Sequence, residues 1–126
     1  MIETDTSVTE HSKAACGVYL RAVHDSLDIL GGKWKIAIIG ALRFGNRRFK
    51  ELQREVTGIT AKMLSKELKE LEMNELVNRT VFDSKPVAVE YELTPYGKSL
   101  EDVLDALMQW GLHHRKRIMG KKIAAS

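Results

Sequence analysis

The sequence has few cysteines and prolines and no long hydrophobic run. It contains 1 cysteine and 2 prolines in 126 residues, so a disulfide framework within the chain is excluded. No apolar run approaches the roughly 20 residues of a membrane span, and the polar, acidic start lacks the basic and apolar pattern of a secretory leader. We therefore expect a cytoplasmic protein that makes no contact with a membrane.

What is present fits one folded domain. Hydrophobic residues make up 44% of the chain and the formal net charge is only +3, which excludes an intrinsically disordered protein. A chain of this length can bury one core but hardly two. Residues 1–15 show no apolar period and are predicted to be a flexible tail. Residues 16–120 are predicted to form the single domain, and residues 121–126 a basic C-terminal tail.

Positive charge is concentrated in two zones of the chain. Residues 31–55 carry 7 basic and 2 acidic side chains, and residues 95–126 carry 6 and 3. Such zones could face a polyanion. A solvated charged face is the usual explanation of any one cluster, so charge alone does not assign nucleic acid.

Apolar residues at spacings of 3 and 4 predict three helices in the first half of the chain. The first carries one narrow apolar stripe over residues 20–30 and ends at Gly31. Residues 34–42 are apolar nearly all round and predict a buried central helix. Residues 47–56 predict a short helix with a basic outer face, followed by a turn at residues 57–58.

A fourth helix is predicted from Thr60, as N-cap, to about Met73. Leucines at three positions form its core stripe. At about 100° per residue, a set of polar and basic side chains falls on nearly the opposite side, and Asn74 is expected to adopt the left-handed conformation that ends the helix. We call that set the lysine ridge; it consists of Lys62, Ser65, Lys66 and Lys69.

The pattern then changes to alternation, which predicts strands. Residues 76–82 and 89–93 predict a two-stranded hairpin with a basic tip at residues 83–86. Thr94 can cap a long final helix that Pro95 begins. Acidic residues in its first turns and basic residues in its last turns complement the helix dipole.

This order of elements predicts a mainly α fold with a small β-hairpin wing, a winged helix-turn-helix with extra helices at both ends. A helix with side chains is about 10–12 Å across and the major groove of DNA about 12 Å wide, so the fourth helix can enter the groove. Lysine serves a phosphate and a guanine edge equally well, so the ridge specifies no target sequence.

Several motifs support the same interpretation when they are taken together and in order. They are Cys16, GGKWK (31–35), RRFKEL (47–52), GITAKMLSKELKELE (58–72), LVNR (76–79), P-x-x-VEYELTPYG (86–97) and WG (110–111). From residue 16 to residue 111 the chain thereby resembles the HxlR-type regulators, relatives of the MarR group. The resemblance implies a bacterial winged-helix transcription factor that acts on operator DNA as a homodimer. Its first and last helices would form the dimer interface. The resemblance also implies a cysteine that senses oxidants or electrophiles in some members.

The chain departs from the family pattern at three positions. Gly17 stands where the family usually has proline after the cysteine, and Ala88 stands where a wing residue is often basic. Lys85, with Arg79 as a further candidate, is then expected to supply the charge of the wing. Glu75 replaces a common glycine, so the turn is expected to fall on Asn74.

The resemblance and the pattern together predict the DNA-binding residues. The lysine ridge would face the major groove, with Thr60 at the start of its helix, and five cations would hold phosphates. Trp34 and Phe49 are expected in the core. The predicted phosphate contacts are Arg47, Arg48, Lys50, Arg54 and Lys85.

A homodimer is predicted from burial as well as from the resemblance. Exposing half of the apolar stripes of the two terminal helices would cost on the order of 10 kcal/mol. Two-fold symmetry would place two recognition helices about 34 Å apart, which predicts an inverted-repeat operator. The predicted interface residues are Leu20, Val23, Leu27, Leu104, Leu107 and Trp110.

Chemistry beyond DNA binding has few candidates. Cys16 could react with a quinone, aldehyde or peroxide, although an inert side chain is the ordinary alternative. The histidines have no metal-ligand spacing, and His114 is expected to be packed. No catalytic motif occurs, so we expect neither an enzyme nor a cofactor.

Two alternatives stay open at this stage. The first is a winged-helix module for protein contacts that does not bind DNA directly. The second is a sensor whose main property is its response to a thiol reagent or to a small-molecule effector in a pocket between dimer helices.

Overall fold

The computed structural model describes the backbone of residues 7–125 and the side chains of residues 13–121. The helices are α1 (Ser7–Leu30), α2 (Lys35–Leu42), α3 (Phe49–Glu55), α4 (Ala61–Met73), α5 (Pro95–Lys98) and α6 (Glu101–Ala125). The strands are β1 (Arg47–Arg48), β2 (Val77–Phe82) and β3 (Ala88–Leu93). None of the helices within this described part has the length and the apolar run needed to cross a bilayer.

The three strands form one antiparallel sheet in the order β1-β3-β2. The predicted hairpin is confirmed, with a register from Val77 opposite Leu93 to Phe82 opposite Ala88. Tyr91 and Leu93 alternate inward with the exposed or half-buried residues between them, as the period of 2 predicts. The fold is therefore the predicted winged helix-turn-helix.

The core lies where α2, α3 and α4 meet. Ile38 and Ile39 of α2, Leu52 of α3 and the three leucines of α4 are the largest fully buried side chains. Their burial confirms α2 as the buried central helix. It also fixes the orientation of α4, since three turns of that helix present leucine to the same core.

The chain divides into two units, residues 1–33 and 34–126. The first contains α1, which begins at Ser7 and so includes most of the stretch predicted as a tail; residues 1–6 lie outside the described residues. A formed helix adds one hydrogen bond for each residue that joins it, so it can extend through polar residues without an apolar stripe.

Two residues assigned to the short helix belong to the sheet instead. Arg47 pairs with Tyr91 and Arg48 with Glu90 in β1, and α3 begins only at Phe49. The Glu51 carboxylate accepts a hydrogen bond from the backbone N–H of Arg48 at 2.7 Å, which satisfies one free donor at the start of α3. The two arginines that begin the RRFKEL motif are therefore paired with strand β3 of the wing.

The predicted long final helix is two helices. Thr94 caps α5 as expected, since its Oγ1 accepts from the Gly97 N–H at 2.8 Å, and the same hydroxyl donates to the Glu75 carbonyl at 2.7 Å. A Cβ on Gly97 would overlap the carbonyl oxygen of Leu76, so only glycine fits there. The α-helical hydrogen bonding is interrupted at residues 99–100, whose N–H groups bond to carbonyls three residues earlier. α6 then continues through most of the predicted basic tail; residue 126 lies outside the described part.

The turn after α4 differs from the prediction. Asn74 has φ −90° and ψ 11°, and Glu75 has the left-handed φ of 62°. Asn74 is held in place because its side-chain Nδ2 donates to the Glu70 carbonyl at 3.0 Å. The assignment of the left-handed turn to Asn74 was wrong. Glu75, which replaces the common glycine, adopts the left-handed conformation itself.

Candidate nucleic-acid interface

The lysine ridge lies on the solvent side of α4. The Thr60 Oγ1 accepts a hydrogen bond from the Met63 N–H at 3.1 Å, which confirms Thr60 as the N-cap of the helix. All four ridge residues are exposed, while the leucine side is completely buried. One side of α4 thus packs in the core and the other side faces solvent, as the helical period predicts.

The ridge lysines make no close ion pair with the side chains that the structure describes. Within residues 13–121, none of the ion pairs closer than 4 Å involves Lys62, Lys66 or Lys69. Three exposed ammonium groups on successive turns of one helix have the arrangement that a polyanion-binding surface requires.

Lys35 joins α2 to α4. Its Nζ lies 2.6 Å from an oxygen of Glu67 and 2.6 Å from an oxygen of Glu70. Burial of the ammonium opposes its charge, but the hydrogen bonds and charges of the two carboxylates outweigh that effect and raise the pKa of Lys35. The hydrogen bond from Lys35 lowers the pKa of Glu70. Lys35 lies in the first basic zone of the sequence, but its ammonium group makes internal ion pairs and is not available to a polyanion.

The predicted phosphate contacts of α3 and its start point into a shared hollow. Arg48, Lys50 and Arg54 are exposed and line an open surface hollow of about 820 Å³ between α3 and the start of β3. Cationic side chains beside a hollow can hold a phosphate by charge-assisted hydrogen bonds. These three residues lie where a bracing contact to the DNA backbone is expected.

Arg47 differs from the other predicted phosphate contacts. Its Nε donates to both carboxylate oxygens of Glu55, at 3.0 and 2.9 Å, and Nη1 donates to the Asn46 carbonyl at 3.0 Å. The side chain is half-buried. Arg47 thus joins β1 to the end of α3, and a phosphate would have to compete with Glu55 for it.

The wing supplies two cations in different places. Lys85 is exposed in the turn between β2 and β3, as predicted. Arg79 on β2 lines a hollow of about 550 Å³ together with Ser65 and Lys69 of the ridge. Arg79 therefore extends the basic surface of α4 onto the sheet. The sequence suggested it only as wing charge, since nothing local relates it to α4.

Of the two aromatic residues expected in the core, neither is fully buried. Trp34 and Phe49 are both half-buried, at the starts of α2 and α3. Each lies at the edge of the core rather than at its centre.

A second ion pair attaches α6 to α2. The guanidinium of Arg43 donates to both oxygens of Asp105, at 2.5 and 3.2 Å. This contact raises the pKa of Arg43 and lowers the pKa of Asp105. Asp105, one of the acidic residues in the first turns of the predicted final helix, therefore also makes a tertiary contact, with a residue 62 positions earlier in the sequence.

The predicted interface residues fall into two groups. Leu20, Val23 and Leu27 on α1 are exposed, and so are Leu107 and Trp110 on α6. Leu104 is the exception, since it is only 8% exposed and belongs to the core of its own chain. The helical period placed Leu104 on the same stripe but could not tell an internal contact from an external one.

The remaining candidate groups are exposed. Cys16 lies on the surface of α1 as a free thiol. His114 is exposed rather than packed in the core, and it stacks on Trp110 with ring centroids 5.0 Å apart and an interplanar angle of 8°. Among the residues that the structure describes, no three His, Cys, Asp or Glu side chains are grouped as a metal site.

Comparison with known proteins agrees with this geometry. The family described as HxlR-like helix-turn-helix matches residues 29–119, which include every element from α2 to most of α6. The chain belongs to the HxlR family. It is a DNA-binding transcriptional regulator with a winged helix-turn-helix fold.

Individual HxlR relatives are similar over most of their length. The HTH-type transcriptional regulator YtcD of Bacillus subtilis is 45% identical over 102 residues, 81% of each chain. The solved structure of YtcD has a TM-score of 0.72 at 46% identity and covers 75% of this chain and 96% of its own. The reduced form of the redox regulator HypR has a TM-score of 0.73 at 36% identity and covers 79% and 98%. The reduced form of YodB from B. subtilis has a TM-score of 0.64 at 40% identity and covers 69% and 85%.

Proposed function

We propose that this HxlR regulator binds an inverted-repeat operator as a homodimer, with the lysine ridge in the major groove. The observation that carries the proposal is the ridge itself, in which exposed lysines that pair with no carboxylate of residues 13–121 occupy the side of α4 opposite the buried leucines. Because α4 is fixed to the core along its whole length, the ridge is presented on a rigid element.

The cations around the ridge would hold the DNA backbone. Arg48, Lys50 and Arg54 lie beside one hollow, and Arg79 shares another with Lys69. Phosphate contacts of this kind position a protein on the duplex without reading its sequence. Lys85 in the wing turn would reach the neighbouring groove.

The exposed apolar side chains support the homodimer. Leu27 is 62% exposed on α1, and Leu107 and Trp110 are 51% and 68% exposed on α6. An apolar hollow of about 560 Å³ between α2 and α6 includes Leu107 and the exposed Phe44. Full burial of a large apolar side chain contributes about 1.5–3 kcal/mol, so covering each of these roughly half-exposed side chains would stabilise the pair of chains by about half of that. A second copy, related by two-fold symmetry, would cover the same residues on both partners.

A mobility-shift titration on mixed-sequence duplex DNA at about 50 and 200 mM salt tests the proposal. With about three to five phosphate contacts for each protomer, the logarithm of affinity is expected to fall against the logarithm of salt concentration with a slope near −6 to −9. A protein that binds no duplex at either salt concentration would favour the alternative, a winged-helix module for protein contacts.

We also propose that Cys16 responds to electrophiles. Its exposure on α1 supports this, together with the redox regulator HypR among the similar structures. The Cys16 sulfur would add to a ring carbon of a quinone, forming an S–C bond. The proton lost by the thiol would pass to one quinone oxygen and the hydrogen of the attacked carbon would leave as a proton for the other, so that the ring becomes a hydroquinone. An adduct on α1 would change the packing of the proposed dimer interface.

Replacing the thiol tests that role. We expect a quinone to release the wild-type protein from DNA and to leave Cys16→Ser bound. Equal release of both proteins at the same quinone concentration would remove Cys16 from the proposal without affecting DNA binding by the ridge.

A further inference from the structure

The recognition helix carries as many carboxylates as lysines. α4 contains Glu67, Glu70 and Glu72 in addition to its three lysines, so its side chains sum to zero charge. A helix that approaches phosphates in this state would meet repulsion as well as attraction. The position of each carboxylate therefore decides how much of the ridge's charge the DNA meets.

Two carboxylates flank the ridge: Glu72 lines the hollow shared with Ser65 and Lys69, and Glu70 lies on the other side, beside Lys66. Glu70 follows Lys66 by four residues, and side chains at this spacing are neighbours on a helix surface. A glutamate in that place can pair with the lysine and occupy its ammonium group. The structure has a different arrangement: Glu70 pairs with Lys35 at 2.6 Å, and no ion pair within 4 Å involves Lys66 in the part of the chain whose side chains are described.

We propose that Lys35 is a positioning residue for DNA binding, because it holds the Glu70 carboxylate toward α2 and so leaves Lys66 free for the duplex. The inference rests on the function proposed above. Lys35 begins α2, and its side chain is nearly buried between α2 and α4. Its ammonium therefore reaches Glu70 from the core side of α4, away from the ridge.

The surroundings of the contact favour this role over a purely structural one. Glu67, which is 14% exposed, is the deeper partner of Lys35 and would suffice to neutralise the buried ammonium. Glu70 is 39% exposed and could be solvated without Lys35. The contact between Lys35 and Glu70 is therefore not needed to neutralise the buried ammonium. It determines instead whether Glu70 pairs with Lys35 or with Lys66. The pKa of Glu70 is lowered by Lys35 first and by the charge of Lys66 to a smaller extent, so both cations act on this carboxylate.

A double-mutant cycle separates the two roles. All variants carry Glu67→Gln, so that loss of Lys35 leaves no deeply buried carboxylate without a partner. The cycle compares this background with Lys35→Met, with Glu70→Gln, and with both changes. Thermal unfolding of every variant checks that the fold is kept. Affinity for a mixed-sequence duplex is measured by fluorescence anisotropy at several salt concentrations.

We expect Lys35→Met in this background to weaken DNA binding about tenfold and to flatten the salt slope by about 1 for each protomer, since one phosphate contact is lost. Adding Glu70→Gln should restore both values, although it does not restore Lys35. A structural role for Lys35 predicts instead that affinity and thermal midpoint fall together and that Glu70→Gln rescues neither, and that result would overturn the inference.

Failure of the inference differs visibly from failure of the proposed function. If the wild-type protein does not bind duplex DNA, the proposed function fails. If it binds and loses affinity on Lys66→Ala, but the cycle shows no coupling between Lys35 and Glu70, only the inference is wrong.

Discussion

α4 and α6 differ in where their apolar side chains lie. Every leucine of α4 is buried in the core of its own chain, and the exposed side is polar except for Met73 at the end of the helix. α6 buries Leu104 but leaves Leu107, Met108 and Trp110 at least half exposed. A helix whose apolar side is satisfied within the chain presents charge outward, whereas α6 presents apolar surface. The first suits a polyanion and the second suits another apolar surface.

Changing the apolar surface of α6 should have the largest effect. We expect Leu107→Glu to raise the dissociation constant of the proposed homodimer about a thousandfold or more, because two-fold symmetry would repeat the lost burial and the added charge on both chains. Sedimentation equilibrium measures the constant. Gln109→Glu adds the same charge at a neighbouring exposed position and should change it little. A Leu107→Glu protein that associates like the wild type would place the interface elsewhere.

The polar side of α4 should respond in DNA binding rather than in assembly. We expect Lys66→Ala combined with Lys69→Ala to flatten the salt slope by about 2 for each protomer and to weaken binding without unfolding the chain. Lys98→Ala combined with Lys116→Ala removes the same charge from α5 and α6 and serves as the control. Equal losses from both pairs would mean that net charge matters and the ridge does not.

The ion pairs that attach both helices to α2 should make the fold sensitive to acid. The pKa values of Glu70 and Asp105 are lowered from their usual 4.5 and 3.8 by contact with Lys35 and Arg43. The folded protein therefore holds fewer protons than the unfolded chain at these pH values, so this stabilisation is complete above about pH 5 and is lost as the pH falls. Thermal midpoints measured from pH 6 to pH 3 should drop less steeply in Glu70→Gln combined with Asp105→Asn. Parallel curves for the two proteins would contradict this assignment.

The smallest effect is expected at the turn that ends α4. Glu75→Gly should stabilise the fold by about 0.5–1 kcal/mol, since a left-handed φ costs a residue with a side chain about 1–2 kcal/mol and glycine gives back part of the gain as chain entropy. Urea unfolding measures the difference. Asn74→Gly is the matched control: its φ is −90°, and it would lose the hydrogen bond to Glu70, so that variant should be less stable.

The sequence predicted the features that depend on local periodicity. The two sides of α4, its Thr60 cap and the hairpin of β2 and β3 all follow from spacings within one element or between adjacent elements. The ridge was foreseen for the same reason. Its exposure needed only the knowledge that the leucine side faces the core.

The features that the sequence missed depend on distant partners. β1 exists because Arg47 and Arg48 meet β3, more than 40 residues later in the chain. The contacts of Lys35 with Glu67 and Glu70 span 32 and 35 residues. No local pattern distinguishes such a lysine from a solvated one. The position of Leu104 was missed for a related reason. An apolar stripe predicts that its residues are buried, but not whether they pack within the chain or against a second chain.

The stacking of Trp110 on His114 gives the molecule an optical probe of its own. One of the two indoles in the chain lies on the surface that a second copy would cover, and its ring stacks on that of His114. Association should therefore shift the emission of Trp110 to shorter wavelength as water leaves the indole, with Trp34 as the internal reference. Subunit exchange could then be followed in the unlabelled protein.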